Sequence, residues 1–283
     1  MKKKICITSD CVCDLPEKIL EEYGVHVIYF YIQTDQGTFK DMDEITAGNI
    51  IEYFKTGGQQ ISTYAPKPEE YEDFFVEVLE NCDEIIHIAI AKSLSKSMEY
   101  ATRASEKFEG RVHVFDSGHL STGIAHLVMK AAEMVKEGKD YEEISAVLHR
   151  LRDKVSTSFI AENADYLYRN GRVSKLVKIV CSGMKIHPVL AMKKGDMILK
   201  GIRIGSYKKS VVRYVRSELK NASKINKKRL FITHSDCTVK MISRAKKAAV
   251  ERCRFEEVIV SRASATISSN CGANTIGVLF VRE

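Results

Sequence analysis

Three short segments of the chain gather small polar residues, hydroxyls above all, where they could line a ligand site. The first is Thr8-Ser9-Asp10, with Asp14 close behind, at the end of an apolar run that begins at Lys4. In parallel α/β folds the carboxyl ends of strands carry ligands, so small polar residues there can line a site. Ser9 and Asp10 can equally close a turn or cap the helix that starts near Leu15. The second segment runs from Ile61 to Tyr71 and holds two of the chain's four prolines. Pro66 and Pro68 fix their own φ and keep their predecessors extended, so Ser62 and Thr63 sit on a stiff loop. Two hydroxyls held that way can each donate to one carboxylate oxygen. Ordinary turn roles ahead of a helix are the plainer alternative. The third is Leu94-Ser95-Lys96-Ser97, between an apolar strand and a helix. A helix start offers unpaired N–H groups to an anion, and Ser95 or Ser97 there is either a ligand donor or an N-cap.

The chain lacks the motifs that would turn these hydroxyls into an enzyme of a familiar kind. It has no G-x-S-x-G elbow, no histidine near them in sequence, and neither phosphate-binding glycine fingerprint. An acyl-group hydrolase using Ser95 or Ser121 stays open, because sequence does not show which histidine or lysine lies near in space. Cys11 and Cys13 make only a C-x-C, so no zinc site is expected.

The elements that must position these groups are read from periodicity. Strands are expected at Lys4–Thr8, His26–Ile32, Glu84–Ala91 and Arg111–Phe115. Amphipathic helices are expected near 15–23, 46–56, 68–81, 97–108, 121–137 and 141–154. This alternation implies an N-terminal parallel α/β domain, residues 1–155, because parallel strands need crossover helices. From 156 to 283 the rhythm changes to an α+β pattern with a mixed sheet. It includes a strand at Thr157–Ala161, a short helix carrying Tyr166, Leu167 and Tyr168, and a hairpin across Lys193-Lys194-Gly195-Asp196. Helices near 207–220 and 238–253 and strands at Leu230–Thr233 and near Val258 and Thr275 complete it. With no low-complexity linker, the two domains are expected to pack closely with a ligand between them.

At 283 residues, 45% hydrophobic and 29% charged, the chain can bury such cores. Its apolar runs are strand-sized, well short of the roughly 20 residues a bilayer needs, so no transmembrane segment is expected. The leading Met-Lys-Lys-Lys resembles a signal n-region, but Thr8, Ser9, Asp10 and Asp14 cut short any apolar stretch behind it. With eight scattered cysteines reading as free thiols, a cytoplasmic protein is expected. The net charge of +7 is spread through both halves, and the densest basic run, Lys220–Arg229, lacks interleaved aromatics. Nucleic acid is therefore not the expected partner, whereas transient contact with an anionic membrane surface is compatible with the charge.

Several segments, in order, resemble the DegV family. Ile7-Thr8-Ser9-Asp10 with Asp14-Leu15 is similar to its strand ending in D-S-T/S followed by D-L. Thr63-Tyr64-Ala65-Pro66-Lys67-Pro68 resembles T-S-Q-P-S-P, and Leu94 to Ser97, running on to Ala101, resembles L-S-G-T…A with lysine in place of glycine. Val114 to Ser117 with Ser121 and Gly123 matches V-I-D-S-x-x-x-S-x-G. Tyr166 to Ser174 resembles Y-L-x-x-G-G-R-I-S, and Lys185 to Leu190 resembles K-I-K-P-I-L. Gly272 to Gly277 stands where the family has H-x-G-P-G-x-x-G, which puts Asn270 in the histidine's place.

The resemblance implies a long-chain fatty acid as bound ligand, with no further cofactor, in a tunnel between the domains. Its carboxylate would be held by Thr63 and Ser95, with Ser62 nearby; Ser97, Ser9, Ser121 and Asn270 are the further candidates for the fatty acid site. It implies a carrier without its own catalysis that presents the acid to a separate fatty acid kinase, with Arg172 and Arg203 facing that partner. A lipid-dependent regulatory module is the other reading. Asn270 departs from the family because asparagine has no proton that titrates near neutrality. Tyr64 for serine and Lys96 for glycine are expected to change the head-group surroundings.

Overall fold

The strand Glu84–Ala89 is buried at every position, which only a strand covered on both faces achieves. The computed structural model around it describes residues 3–58, 61–181 and 185–283. In chain order its elements are β1 (Ile5–Asp10), α1 (Glu17–Tyr23), β2 (Val25–Ile28), β3 (Tyr31–Thr34), β4 (Gly37–Lys40), α2 (Ala47–Lys55), β5 (Ser62–Tyr64), α3 (Pro68–Leu79), β6 (Glu84–Ala89), α4 (Ser97–Ser105), β7 (Val112–Asp116), α5 (Thr122–Lys136) and α6 (Tyr141–Arg152). Next come β8 (Val155–Ile160), α7 (Asp165–Arg169), α8 (Lys175–Cys181), β9 (Ile186–Lys193), β10 (Asp196–Ile204), α9 (Tyr207–Glu218), β11 (Ile225–Ser235), α10 (Val239–Arg252), β12 (Glu257–Arg262), α11 (Ala265–Cys271) and β13 (Thr275–Arg282).

Contacts divide the chain into two units that are not contiguous in sequence. The first comprises Met1–Glu44, Ile61–Lys154 and Lys194–Asp196; the second comprises Ile45–Gln60, Val155–Lys193 and Met197–Glu283. The single division after residue 155 expected from sequence is thus drawn differently. Helix α2 falls in the second unit, because it packs on α11, more than 200 residues later in the chain.

The first unit holds the expected parallel sheet, in the order β2-β1-β6-β7, with every pairing parallel. Helices α3 and α4 lay Tyr71, Phe75, Val78, Ala101 and Ala104 on Ile28, Ile85 and Val112, while α5 packs on β1 and β6. Each large apolar side chain buried this way contributes about 1.5–3 kcal/mol relative to exposure. The run His26–Ile32, expected as one strand, is two. At Phe30 the backbone leaves the sheet, since its N–H goes to Cys11 Sγ at 3.3 Å and its carbonyl accepts from Asp41 N at 2.8 Å. Strand β3 then joins a small antiparallel sheet of order β4-β3-β5, which places Thr63 on a strand rather than in a loop.

In the second unit six strands form a mixed sheet in the order β10-β9-β8-β13-β11-β12. Neighbours are antiparallel from β9 through β8 and β13 to β11, and β11–β12 is parallel. Val211, Tyr214 and Val215 of α9 and Ala245, Ala248 and Ala249 of α10 join Leu230, Ile232, Val278 and Phe280 of the sheet in one core. The expected hairpin is present between β9 and β10, where Lys194 and Gly195 both have positive φ, as a tight primed turn requires. Helices α8 and α11 were not expected; α11 is rich in Ser, Thr and Asn, which speak for caps and turns rather than helix interiors. No helix among the described residues is long and apolar enough to cross a membrane.

Candidate functional site

The first unit turns the end of β1 into a buried polar hub. Asp10 has no solvent exposure, so its carboxylate must find donors inside the protein. It finds three: Tyr71 OH donates to Oδ1 at 2.9 Å, while Ser97 Oγ at 2.7 Å and the Ile90 N–H at 2.8 Å donate to Oδ2. Tyr71 OH and Ser97 Oγ are also 2.8 Å apart, so two hydroxyl protons serve three close oxygen pairs. His87 Nε2 lies 3.4 Å from Oδ1 without the alignment of a hydrogen bond, and its Nδ1 is 2.9 Å from Thr8 Oγ1. Burial above all, then the Asp10 charge, pushes the Tyr71 hydroxyl well above its usual range, which keeps it a donor.

Thr63 and Ser95 are both half-buried in the same unit. Thr63 pairs with Ile32 across the small sheet, and its hydroxyl has no hydrogen-bond partner among the described residues. Ser95 Oγ accepts the Ser97 N–H at 3.2 Å, the usual use of a serine at a helix start, and this leaves its own O–H available to donate. It lines a surface depression with Lys92, Ser93, Leu94, Lys96 and Glu99. The two departures from the family pattern sit easily here. Lys96 has φ −79°, which demands no glycine. Tyr64 alternates to the other side of β5 from Thr63 and stacks on Tyr31, with ring centroids 5.4 Å apart.

The other hydroxyls expected at the site are already bonded within the protein. Ser9 and Ser97 are fully buried, Ser9 donating to the Ile88 carbonyl at 2.7 Å and Ser97 to Asp10. Exposed Ser62 reaches Gln33 Oε1 at 3.4 Å. Ser121 precedes α5 with φ 53° and ψ −145°, a strained conformation for a residue with a side chain, and donates to Asp14, itself left-handed at φ 54°.

In the second unit the structure brings together two residues singled out separately. Arg172 Nε donates to Asn270 Oδ1 at 3.0 Å, and Asn270 Nδ2 donates to the Thr266 carbonyl at 2.8 Å. Gly171, at φ 67°, ends α7, and the Arg172 N–H returns to the Leu167 carbonyl at 2.7 Å, closing a Schellman turn that fixes where the arginine starts. Burial lowers the Arg172 guanidinium below its usual value. Arg203 is not joined to this pair; its guanidinium donates to Ser217 on α9 at 3.1 Å. Next to Asn270, Gly272 has φ 80°, and a Cβ there would lie 2.4 Å from the Tyr166 ring. Sequence reasoning left Asp10 and Tyr71 out of the site. Both lie in the polar segments it singled out, but a hydrogen bond between residues 61 apart has no local signature.

A parallel sheet with crossover helices in one unit and a six-stranded mixed sheet in the other define a two-unit α/β protein. The chain belongs to the DegV family, described as uncharacterised, whose family model matches residues 4–283. A DegV domain-containing protein of Caldanaerobacter subterraneus subsp. tengcongensis is 28% identical over 282 residues, covering 98% of this chain and 99% of that one. Among solved structures, one describing fatty acid binding of a DegV family protein from Thermus thermophilus is similar at 26% identity and a TM-score of 0.88. It covers 99% of this chain and 100% of its own. DegV of Bacillus subtilis, described as a fatty acid binding protein, shares the fold at 20% identity and a TM-score of 0.84, covering 99% of this chain and 100% of its own. Among the described residues no group of histidine, cysteine, aspartate and glutamate could hold a metal ion.

Proposed function

We propose that the protein binds a long-chain fatty acid, its carboxylate held by Thr63 and Ser95, and presents it to a partner, with a fatty acid kinase as the partner class. The observation that carries the reading is the pair of half-buried hydroxyls in one unit. Thr63 has no internal partner among the described residues, and Ser95 has its O–H left over after accepting an N–H. Neutral donors of this kind hold an anion through charge-assisted hydrogen bonds, each worth about 1.5–3 kcal/mol. The fatty acid binding described for the Thermus thermophilus relative supports the same ligand class.

Ser9, Ser97 and Ser121, whose hydroxyls are taken up internally, frame the donor segments in this reading, and Ser62 flanks Thr63. Arg172, steadied by Asn270, is the group offered to the partner, with Arg203 as a second cation for it. A carrier is favoured over an acyl hydrolase because no histidine or lysine hydrogen-bonds the Ser95 or Ser121 hydroxyl among the described residues. The test is mass spectrometry of the ligand released from purified protein by denaturation. A stoichiometric fatty acid is expected; a preparation that neither carries nor takes up any fatty acid would end the proposal.

A further inference from the structure

Asp10 is a fully buried carboxylate that has no contact with solvent and so cannot itself hold the anionic head group. Its bonds nevertheless run to both donor segments. On one side Ser97 gives its hydroxyl to Asp10 and its N–H to Ser95 Oγ, so a single residue connects the carboxylate to the serine donor. On the other side Tyr71 lies eight residues beyond Thr63, across Ala65, Pro66 and Pro68, all three buried. The prolines make that link stiff. It is clamped further by Glu70, which accepts the Lys67 N–H at 2.8 Å and the hydroxyl of Tyr31, the residue paired with Tyr64.

We infer that Asp10, acting through Tyr71 and Ser97, is a positioning residue that sets the Thr63 and Ser95 hydroxyls at the separation a carboxylate needs. Buried and held by three donors, Asp10 has fixed oxygens, and the two hydroxyls bonded to it are fixed in turn. Each belongs to the segment that carries one of the head-group donors. The inference rests on the proposed fatty acid site and adds to it the device that makes the site selective for an acid. Two neutral hydroxyls on mobile segments would bind an ester or an alcohol nearly as well as a carboxylate. Hydroxyls already aimed lose no further freedom on binding, and the gain falls on the ligand that can accept both bonds.

The test compares dissociation constants for hexadecanoic acid and its methyl ester in wild type, Tyr71→Phe, Ser97→Ala and Ser97→Thr, with melting temperatures alongside. Wild type is expected to prefer the acid. Tyr71→Phe and Ser97→Ala should each cut that preference at least about threefold while the ester affinity stays put. Ser97→Thr, which keeps the hydroxyl, should restore it. Acid and ester affinities falling together, in step with the melting temperature, would reduce Asp10 to a structural part and overturn the inference. So would a full acid preference in a folded Ser97→Ala protein. A wild type that binds both probes equally instead removes the carboxylate site itself, and the positioning role with it.

Discussion

The polar clusters around Asp10 in the first unit and around Arg172 in the second use opposite strategies for a charge away from water. Asp10 is enclosed completely, and each oxygen is answered by hydroxyl or amide donors from α3, α4 and the end of β6. Arg172, just beyond a short helix, is only half-buried, and its Nε donates to an amide oxygen. A buried charge needs full compensation, and that fixes its surroundings; a partly solvated cation can be steadied by a neutral acceptor and remain addressable. The first cluster is thus rigid, whereas the second leaves its cation partly solvated.

Removing a ligand donor is the strongest way to break the comparison on the rigid side. Thr63→Ala and Ser95→Ala are each expected to weaken hexadecanoic acid binding at least about tenfold, because in the proposed site each deletes a hydrogen bond to a charged group. Unchanged affinity in both, measured by titration calorimetry, would take these residues out of the site. On the other side, Gly272→Ala should destabilise the second unit by about 1–3 kcal/mol, since the residue sits at φ 80° and the new Cβ would strike the Tyr166 ring. The urea midpoint reads this directly, and an unshifted midpoint would mean the ring moves aside freely.

A smaller effect separates lipid from partner. If Arg172 faces the partner as proposed, Arg172→Ala is expected to leave fatty acid affinity within about twofold while reducing acyl-phosphate formation in a kinase-coupled assay. Loss of lipid binding alone would contradict that assignment. Asn270→His sharpens the same point. Neutral imidazole can accept from Arg172 as the amide does, but once protonated below about pH 6.5 it would face a like charge. Any kinase-coupled rate in this variant should therefore depend on pH between about 6 and 8, where wild type stays flat. A flat profile in the variant would dissociate Asn270 from the reaction.

The smallest expected effect is on acid stability and is shared by both units. Burial lowers the His119 imidazole in the first unit and the His234 imidazole in the second. A depressed folded pKa gives stability that is present above the unfolded value of about 6.5 and is lost as pH falls through the folded value. Urea midpoints should accordingly decline as pH drops below about 6.5. In His119→Asn the decline should be shallower.

A feature of this protein is legible in its sequence when it is periodic and hidden when it joins distant residues. The parallel sheet of the first unit and the hairpin at Lys194-Gly195 are written in apolar runs and turn residues, and both are present. Breaks such as that at Phe30, where a cysteine sulfur and an aspartate N–H replace ladder partners, leave the local pattern intact and so have no sequence signature. Helix α11 has none either, because its residues favour caps over helix interiors, and packing against α2 and α7 overrides that preference. The order of the motifs singled out Thr63 and Ser95 as candidate donors and, separately, Arg172 and Asn270. That Asp10 joins Tyr71 and Ser97, and that Asn270 accepts from Arg172, was decided by tertiary structure alone. These are bonds between residues 61, 87 and 98 positions apart, and the geometry of a hydrogen bond across such separations exists only once the chain has folded.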